Sequence, residues 1–435
     1  MASSIEAVRG TKDVLPQDSY KWRFVERTAQ KVAADFGFRE VRFPTFEKTE
    51  LFVRGVGDTT DVVQKEMYTF VTKGEDSITL RPEGTASVAR LCLQNGLFAG
   101  LMPLKLYYII SCFRYEKPQA GRYREFHQFG VELYGTQSPA SDAEVIALAD
   151  TLIKRLGIRG VSLKTNSIGC PECRKKYHAA LKSYFENAKD ALCDTCRDRL
   201  DRNPMRILDC KNPDCAKIAK DAPRVTDFLC EDCADHFAKL KAGLENFGID
   251  YEVDTSIVRG LDYYTKTVFE FVDGETGLTV LGGGRYDGLI TDLDPSKQVC
   301  GLGFATGLER LLLVMEKQGC DFGKEDTCRV YIANIGEKGA KKAAALAYAL
   351  RTKGIAAETD VSSRSLKAQM KYADKTGTEF TMVLGDNELE AGKARLKNMA
   401  SGSETEVRLE NLADELLSAI HSSALDNLAD SILKQ

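Results

Sequence analysis

The chain has 435 residues, of which 43% are hydrophobic and 29% charged, and its formal net charge is −4. That length exceeds one average core, so two or three domains are expected, and the composition excludes disordered and fibrous classes. No apolar run approaches the roughly 20 residues of a membrane helix, and the slightly acidic balance leaves any nucleic-acid partner to local basic surfaces.

The first 18 residues carry Glu6, Arg9, Lys12 and Asp13 without an apolar stretch, so no secretory signal and a cytoplasmic location are expected. In that reducing compartment the 13 cysteines point to thiols or metal ligands before disulfides. Cys92, Cys112 and Cys300 sit in apolar segments, as small core residues do. Phe38, Val41, Phe43 and Phe46 alternate with charged residues around Pro44, the pattern of a half-buried strand at an interface or in an internal core.

Leu80 to Thr85 places Glu83 at a proline-stiffened turn. Leu106 to Glu116 has the texture of a strand whose end puts Arg114 and Glu116 on one face. A charged pair at the end of a buried strand is costly unless something pairs with it. After a loop from Lys117 to Arg124, Phe126 to Glu132 reads as the returning strand, with Gln128, Gly130 and Glu132 on a common face. The alternative is a solvated hairpin face.

Ser141 to Glu144 has capping-box spacing, and a helix runs from there to Gly157. A strand is expected at 163–168. From 170 to about 240 the texture changes to helical segments rich in lysine and arginine, with eight cysteines, which reads as an insertion.

Beyond it, Val258-Arg259-Gly260-Leu261-Asp262-Tyr263-Tyr264 combines a donor fork, a flexible glycine, a carboxylate and two phenols, as the wall of a polar pocket would, or forms an ordinary turn into the next strand with Arg259 solvated. A strand at 267–272 follows, then a glycine-rich turn at Gly282 to Asp287. Gly301 to Arg310 passes from a glycine-broken strand into a helix, with Arg310 in the first turn, where the dipole disfavours a cation. A bound anion or a neighbouring carboxylate would offset that mismatch.

Residues 319–329 suit a linker. Val330 to Ala333, Lys338 to Lys353 and Phe380 to Leu384 give a strand-helix-strand rhythm before a turn at Gly385 to Asn387, hence a small C-terminal α/β domain. With four histidines and no glycine-flanked serine, Ser/His/Asp catalysis is not expected. The phosphate loop of P-loop enzymes is missing too, so an ATP site would be built on a sheet with arginines.

Together these segments resemble the class II aminoacyl-tRNA synthetases, and specifically the bacterial-type histidyl-tRNA synthetase family. Glu40 to Pro44, Phe113 to Glu116 and Gly303 to Arg310 resemble the three class motifs. Arg259 to Tyr264 and Gly282 to Asp287 make the resemblance specific for histidine.

The resemblance implies an α+β fold: an antiparallel-sheet catalytic domain at 1–169 and 241–325, a Cys-rich helical insertion at 170–240, and an α/β anticodon-binding domain at 328–435. It implies that Arg114 and Arg259 are catalytic cations at the α-phosphate, that Glu116 and Phe126 hold adenine, and that Arg122 and Arg310 reach the β- and γ-phosphates. Glu83 and Thr85 would take the amino group of L-histidine with Gln128 nearby. Glu132 and Tyr264 would bond the imidazole, and Tyr263 and Tyr286 would shape the pocket.

ATP with Mg2+, tRNA(His) and a second copy of the chain in a homodimer are the implied partners. Arg364, Lys367 and Lys371 would serve the anticodon stem-loop. A non-catalytic regulatory paralogue from histidine biosynthesis and a class II synthetase for another amino acid are the alternatives. The retained arginines and C-terminal domain argue against the first, and Arg259 to Tyr264 against the second.

In the insertion, Cys170 and Cys173, Cys193 and Cys196, Cys210 and Cys215, and Cys230 and Cys233 have spacings that let both sulfurs of a pair reach one ion. One or two structural zinc sites, or reduced thiols, are the open readings, and the pairing is not fixed by sequence.

Overall fold

The computed structural model describes residues 5–57, 60–210, 212–258, 261–325 and 327–421. The chain divides into two compact units, Met1–Gly323 and Lys324–Gln435.

The first unit is organised by an eight-stranded sheet in the order Arg39–Glu40, Leu104–Phe113, Glu125–Tyr134, Gly301–Gly307, Thr279–Arg285, Thr265–Asp273, Val161–Ser167, Glu252–Val253. Pairing is parallel only at the two edge strands. Alternation along the strands sorts side chains between two cores. Phe129, Val131 and Leu133 face a helical layer that includes Val25, Leu148, Leu152, Leu240 and Leu311. Residues of the opposite parity, such as Tyr108, join the second core with Tyr263, Tyr264 and Tyr286. A strand with one parity on each core has its register fixed, because a one-residue slip would exchange the two sets.

Three expectations need correction. The strand ends at Phe113, so Arg114 and Glu116 lie just beyond it and not on its face. The helix expected from Ser141 starts earlier, at Pro139, with the Ser138 hydroxyl accepting from the Ala140 amide at 3.3 Å. Proline at the first position and serine before it supply the start, which frees Asp142 for another role. Gly282 to Gly284 belong to the interior of the strand Thr279–Arg285 and form no turn. A Cβ on Gly283 would stand 2.2 Å from the Gly303 carbonyl oxygen, and one on Gly284 2.5 Å from that of Thr267, so these glycines let neighbouring strands close up.

Between Val161–Ser167 and Glu252–Val253 the chain forms the helices Pro171–Glu186, Asp194–Arg202, Pro213–Ala219 and Glu231–Asn246. The last spans residue 240. Its Phe237, Leu240 and Leu244 pack into the main core.

The alternating aromatics at 38–46 form only a two-residue strand, Arg39–Glu40. Phe38 is buried, Val41 and Phe43 are half-buried, and Phe46 is 54% exposed in a separate three-stranded sheet.

The second unit is a five-stranded sheet in the order Ala357–Thr359, Val330–Asn334, Phe380–Leu384, Lys393–Asn398, Glu404–Arg408. Its core includes Val330, Ile332, Ala343, Ala347, Leu350 and Leu384. The alanine-rich helix spans Gly336–Thr352. The expected turn at Gly385 opens a short helix instead, because Glu388 accepts from the Gly385 amide at 2.8 Å. No helix among the described residues is long and apolar enough to cross a membrane.

Candidate active site

The site is built from the hairpin upward. In the register Leu106, Tyr108 and Ile110 lie opposite Glu132, Gly130 and Gln128, so all six share one face. Tyr108 is fully buried there. A Cβ on Gly84 would come within 2.4 Å of its ring and one on Gly130 within 2.3 Å, so both positions must lack a side chain for the ring to fit. The sequence suggested that Gly130 left room between two polar groups; the room is taken by Tyr108.

Tyr108 is there to meet Glu132. The buried Glu132 carboxyl accepts from the Tyr108 hydroxyl at 3.2 Å and the Thr85 hydroxyl at 2.8 Å, and also from the Tyr286 hydroxyl. A Cβ on Gly303 would lie 2.6 Å from the same carboxyl, which explains that glycine. Burial pushes the Glu132 carboxyl up to about 8, against the lowering effect of the Tyr286 and Thr85 hydrogen bonds. Glu83 is also buried, and desolvation raises its pKa although the amides of Ala86 and Thr85 donate to it at 2.9 and 2.7 Å. Gln128 is buried nearby, accepting from the Cys112 thiol at 3.8 Å.

Three tyrosines roof this polar floor. The rings of Tyr263 and Tyr264 are 4.7 Å apart, and Tyr286 lies 5.4 Å from Tyr263 and 6.5 Å from Tyr264. Buried carboxyls beneath phenols favour a ligand rich in N–H donors, because such a ligand satisfies acceptors already removed from water.

The arginines line a second stretch at the hairpin end. Arg114 donates to the Pro82 carbonyl at 2.8 Å, lies 5.4 Å over the Phe126 ring, and is 3.9 Å from Glu116. Arg122 reaches Glu116 at 3.2 Å. Arg310 resolves its unfavourable place at a helix start by donating to two carbonyls, Thr279 at 2.8 Å and Gly121 at 3.4 Å. Neither a carboxylate nor an anion is the partner in those two bonds.

The structure thus joins Glu132, Thr85 and Tyr286 by hydrogen bonds, gathers the three tyrosines, and links Arg114, Phe126, Glu116 and Arg122 in a chain of contacts. Arg259 and Gly260 lie outside the described residues.

Sequence reasoning missed Tyr108, hidden among the apolar residues of its strand, and also the support beneath Tyr286. Arg285, with no solvent exposure, donates to Asp142 at 2.7 and 3.0 Å and to the Thr136 carbonyl at 2.8 Å. His236 closes on the same Asp142 carboxylate. The available signal was a lone arginine inside Gly282 to Asp287, too polar for a central strand unless paired.

A largely antiparallel sheet with a charged hairpin end and an arginine at a strand-to-helix junction defines a class II aminoacyl-tRNA synthetase. Comparison with known proteins narrows this further. The histidyl-tRNA synthetase family model matches residues 10–311 and an anticodon binding domain model matches 329–419. The histidine–tRNA ligase of Acetivibrio thermocellus is 54% identical over 413 residues, covering 94% of this chain and 99% of that protein. That of Caldicellulosiruptor bescii is 53% identical over 414 residues, covering 95% and 98%. The crystal structure of the apo histidyl-tRNA synthetase of S. aureus superposes with a TM-score of 0.81 at 39% identity, covering 95% of this chain and 100% of that one. The chain belongs to the histidyl-tRNA synthetase family.

Proposed function

We propose that the pocket floored by Glu132 and Glu83 takes L-histidine, and that the stretch from Arg114 to Arg310 takes ATP as its Mg2+ complex. The chain is a histidine–tRNA ligase. In this reading a carboxylate oxygen of histidine attacks the α-phosphorus, pyrophosphate leaves, and the histidyl-adenylate passes its histidine to the 3′-terminal adenosine of tRNA(His).

The observation that carries the assignment is the convergence of Thr85, Tyr108 and Tyr286 on the buried Glu132 carboxyl. A neutral imidazole offers one N–H donor and one acceptor. Glu132 takes the donor, the Tyr264 phenol serves the other nitrogen, and Tyr263 and Tyr286 enclose the ring. Glu83 and Thr85 receive the α-ammonium group, with Gln128 beside them.

Arg114 holds the α-phosphate and the histidine carboxylate, Glu116 and Phe126 hold adenine by hydrogen bonding and stacking, and Arg122 and Arg310 reach the β- and γ-phosphates. Arg122 then exchanges Glu116 for phosphate, and Arg310 adds phosphate to its carbonyl contacts. Arg259 supplies the second cation at the α-phosphate. The attack brings anions together, so positioned positive charge is the main requirement and no side chain need transfer a proton.

We read 1–169 and 241–325 as the catalytic core, 170–240 as its insertion, and 328–435 as the anticodon-binding domain, in a cytoplasmic homodimer joined around residues 38–46. Histidine-dependent ATP–pyrophosphate exchange tests the activity. Exchange with histidine alone among the amino acids supports it, and no exchange with any would favour a regulatory role.

A further inference from the structure

Away from that pocket, eight thiols gather in two groups: Cys170, Cys173, Cys230 and Cys233, and Cys193, Cys196, Cys210 and Cys215, with ligand atoms within 4.8 Å of one another in each. A tetrahedral zinc–thiolate site with Zn–S bonds near 2.3 Å places its sulfurs about 3.8 Å apart. Here Cys170 lies 3.5 Å from Cys173 and 4.0 Å from Cys230, and Cys193 lies 3.9 Å from Cys210. A disulfide would need about 2 Å, and all eight are free thiols.

The surroundings suit thiolates. The Cys230 amide donates to the Cys173 sulfur at 3.1 Å and the Cys193 amide to that of Cys215 at 3.2 Å. Cys170, Cys193 and Cys230 each precede the first residue of a helix, where the positive end of the dipole favours the deprotonated sulfur.

Both groups also connect to the wall of the histidine pocket. Next to Cys170, the Gly169 carbonyl accepts from the Lys266 amide at 2.9 Å, and the Lys266 carbonyl accepts from the Ile168 amide at 2.7 Å. Arg174, one turn into the helix that Cys170 starts, donates to the Tyr264 carbonyl at 3.1 Å. Between Cys196 and Cys210, Asn203 and Arg206 donate to the Asp262 carboxylate at 3.3 and 2.9 Å. The two groups thus hold both ends of the stretch 262–266 that carries Tyr263 and Tyr264.

We infer that each group binds one zinc ion, releasing its thiol protons to solvent, and that the two ions fix the insertion against residues 262–266 so that zinc occupancy sets histidine affinity. The second half of this inference rests on histidine binding under Tyr263, Tyr264 and Tyr286. Arg174, Asn203 and Arg206 are positioning residues that act through that segment.

The test begins with metal content and thiol reactivity of the full-length protein, read without any activity. About two zinc ions per chain are expected, with the eight thiols protected from a disulfide reagent until a chelator removes the metal. Cys210→Ser and Cys233→Ser should each lower the content to about one. Should they fail to fold, stepwise mercurial release from the wild type with a zinc indicator gives the same count. Arg206→Ala should keep both ions yet raise the histidine KM roughly tenfold, with the ATP KM within about twofold. Protein prepared with zinc in the medium that holds none and leaves the eight thiols reactive would overturn the metal assignment. Full zinc release without change in the histidine KM would overturn the coupling, whereas a failed histidine pocket would show as absent exchange in zinc-loaded protein.

Discussion

At Glu132 burial and hydrogen bonding oppose each other, and burial prevails. Its carboxyl titrates at about 8 in the fold against 4.5 ordinarily, so between those values the folded chain holds a proton that the unfolded chain has lost. Stability contributed by this group is therefore greatest below the unfolded value and falls as pH rises towards 8. Ligand-free Glu132→Gln should lose less melting temperature than wild type from about pH 5 to about pH 9, as differential scanning calorimetry would read. Equal losses would place the raised carboxyl elsewhere. In the proposed pocket histidine binding would use the ionised acceptor, so it should strengthen towards pH 8 in wild type and lose that dependence in the variant. Arg285 makes the complementary case. Arg285→Leu takes the guanidinium away from Asp142 in a site with no exposure, at a cost of about 3–5 kcal/mol, and denaturant titration should show it. A loss under about 1 kcal/mol would mean that Asp142 is otherwise satisfied.

At the scale of elements, the long strands and helices were legible because their apolar periodicity was strong. Phe380–Leu384 was anticipated residue for residue, and the helix Gly336–Thr352 to within two residues at its start. The misreadings share a physical cause. Gly282 to Gly284 carry the local signature of a turn, but close packing of neighbouring strands puts them in a sheet interior, and sequence does not display that packing. Ser141 to Glu144 carried a capping pattern that Ser138 and Pro139 pre-empted one turn earlier. The cysteine pairing was equally hidden, since it joins Cys170 to Cys230 across 60 positions by way of a helical excursion. The C-terminal unit offers a test at this scale. A chain ending at Gly323 should keep histidine-dependent pyrophosphate exchange within about tenfold while the tRNA KM rises in aminoacylation assays. An unchanged tRNA KM would remove anticodon binding from that unit.

For the whole molecule, the proposed site residues come from motifs in the sequence, while the residues that contact them do not. Tyr108, Arg285, Asp142 and His236 come from four separate segments, and only the folded sheet and its helices bring Tyr108 to Glu132 and Arg285 and His236 to Asp142. The dimer reading changes in detail for the same reason. Phe43 packs edge-on to Tyr108 at 5.5 Å and under Arg81 at 5.2 Å, so Phe43→Asp would damage the pocket directly and report little about association. Phe46, 54% exposed, is the cleaner probe. Phe46→Asp should shift sedimentation equilibrium towards monomer and lower exchange activity with it. A wild-type monomer that is fully active at nanomolar concentration would end the homodimer proposal.

The central claim is that Glu132 reads the imidazole of histidine, and equilibrium binding of L-histidine against its thiophene analogue, which has a ring of similar shape without N–H groups, tests it most directly. Wild type should prefer histidine by on the order of 100-fold or more, because the analogue leaves the buried carboxyl without a donor. Glu132→Gln should shrink that preference by roughly tenfold while weakening the analogue little. An unchanged preference in Glu132→Gln would contradict the account.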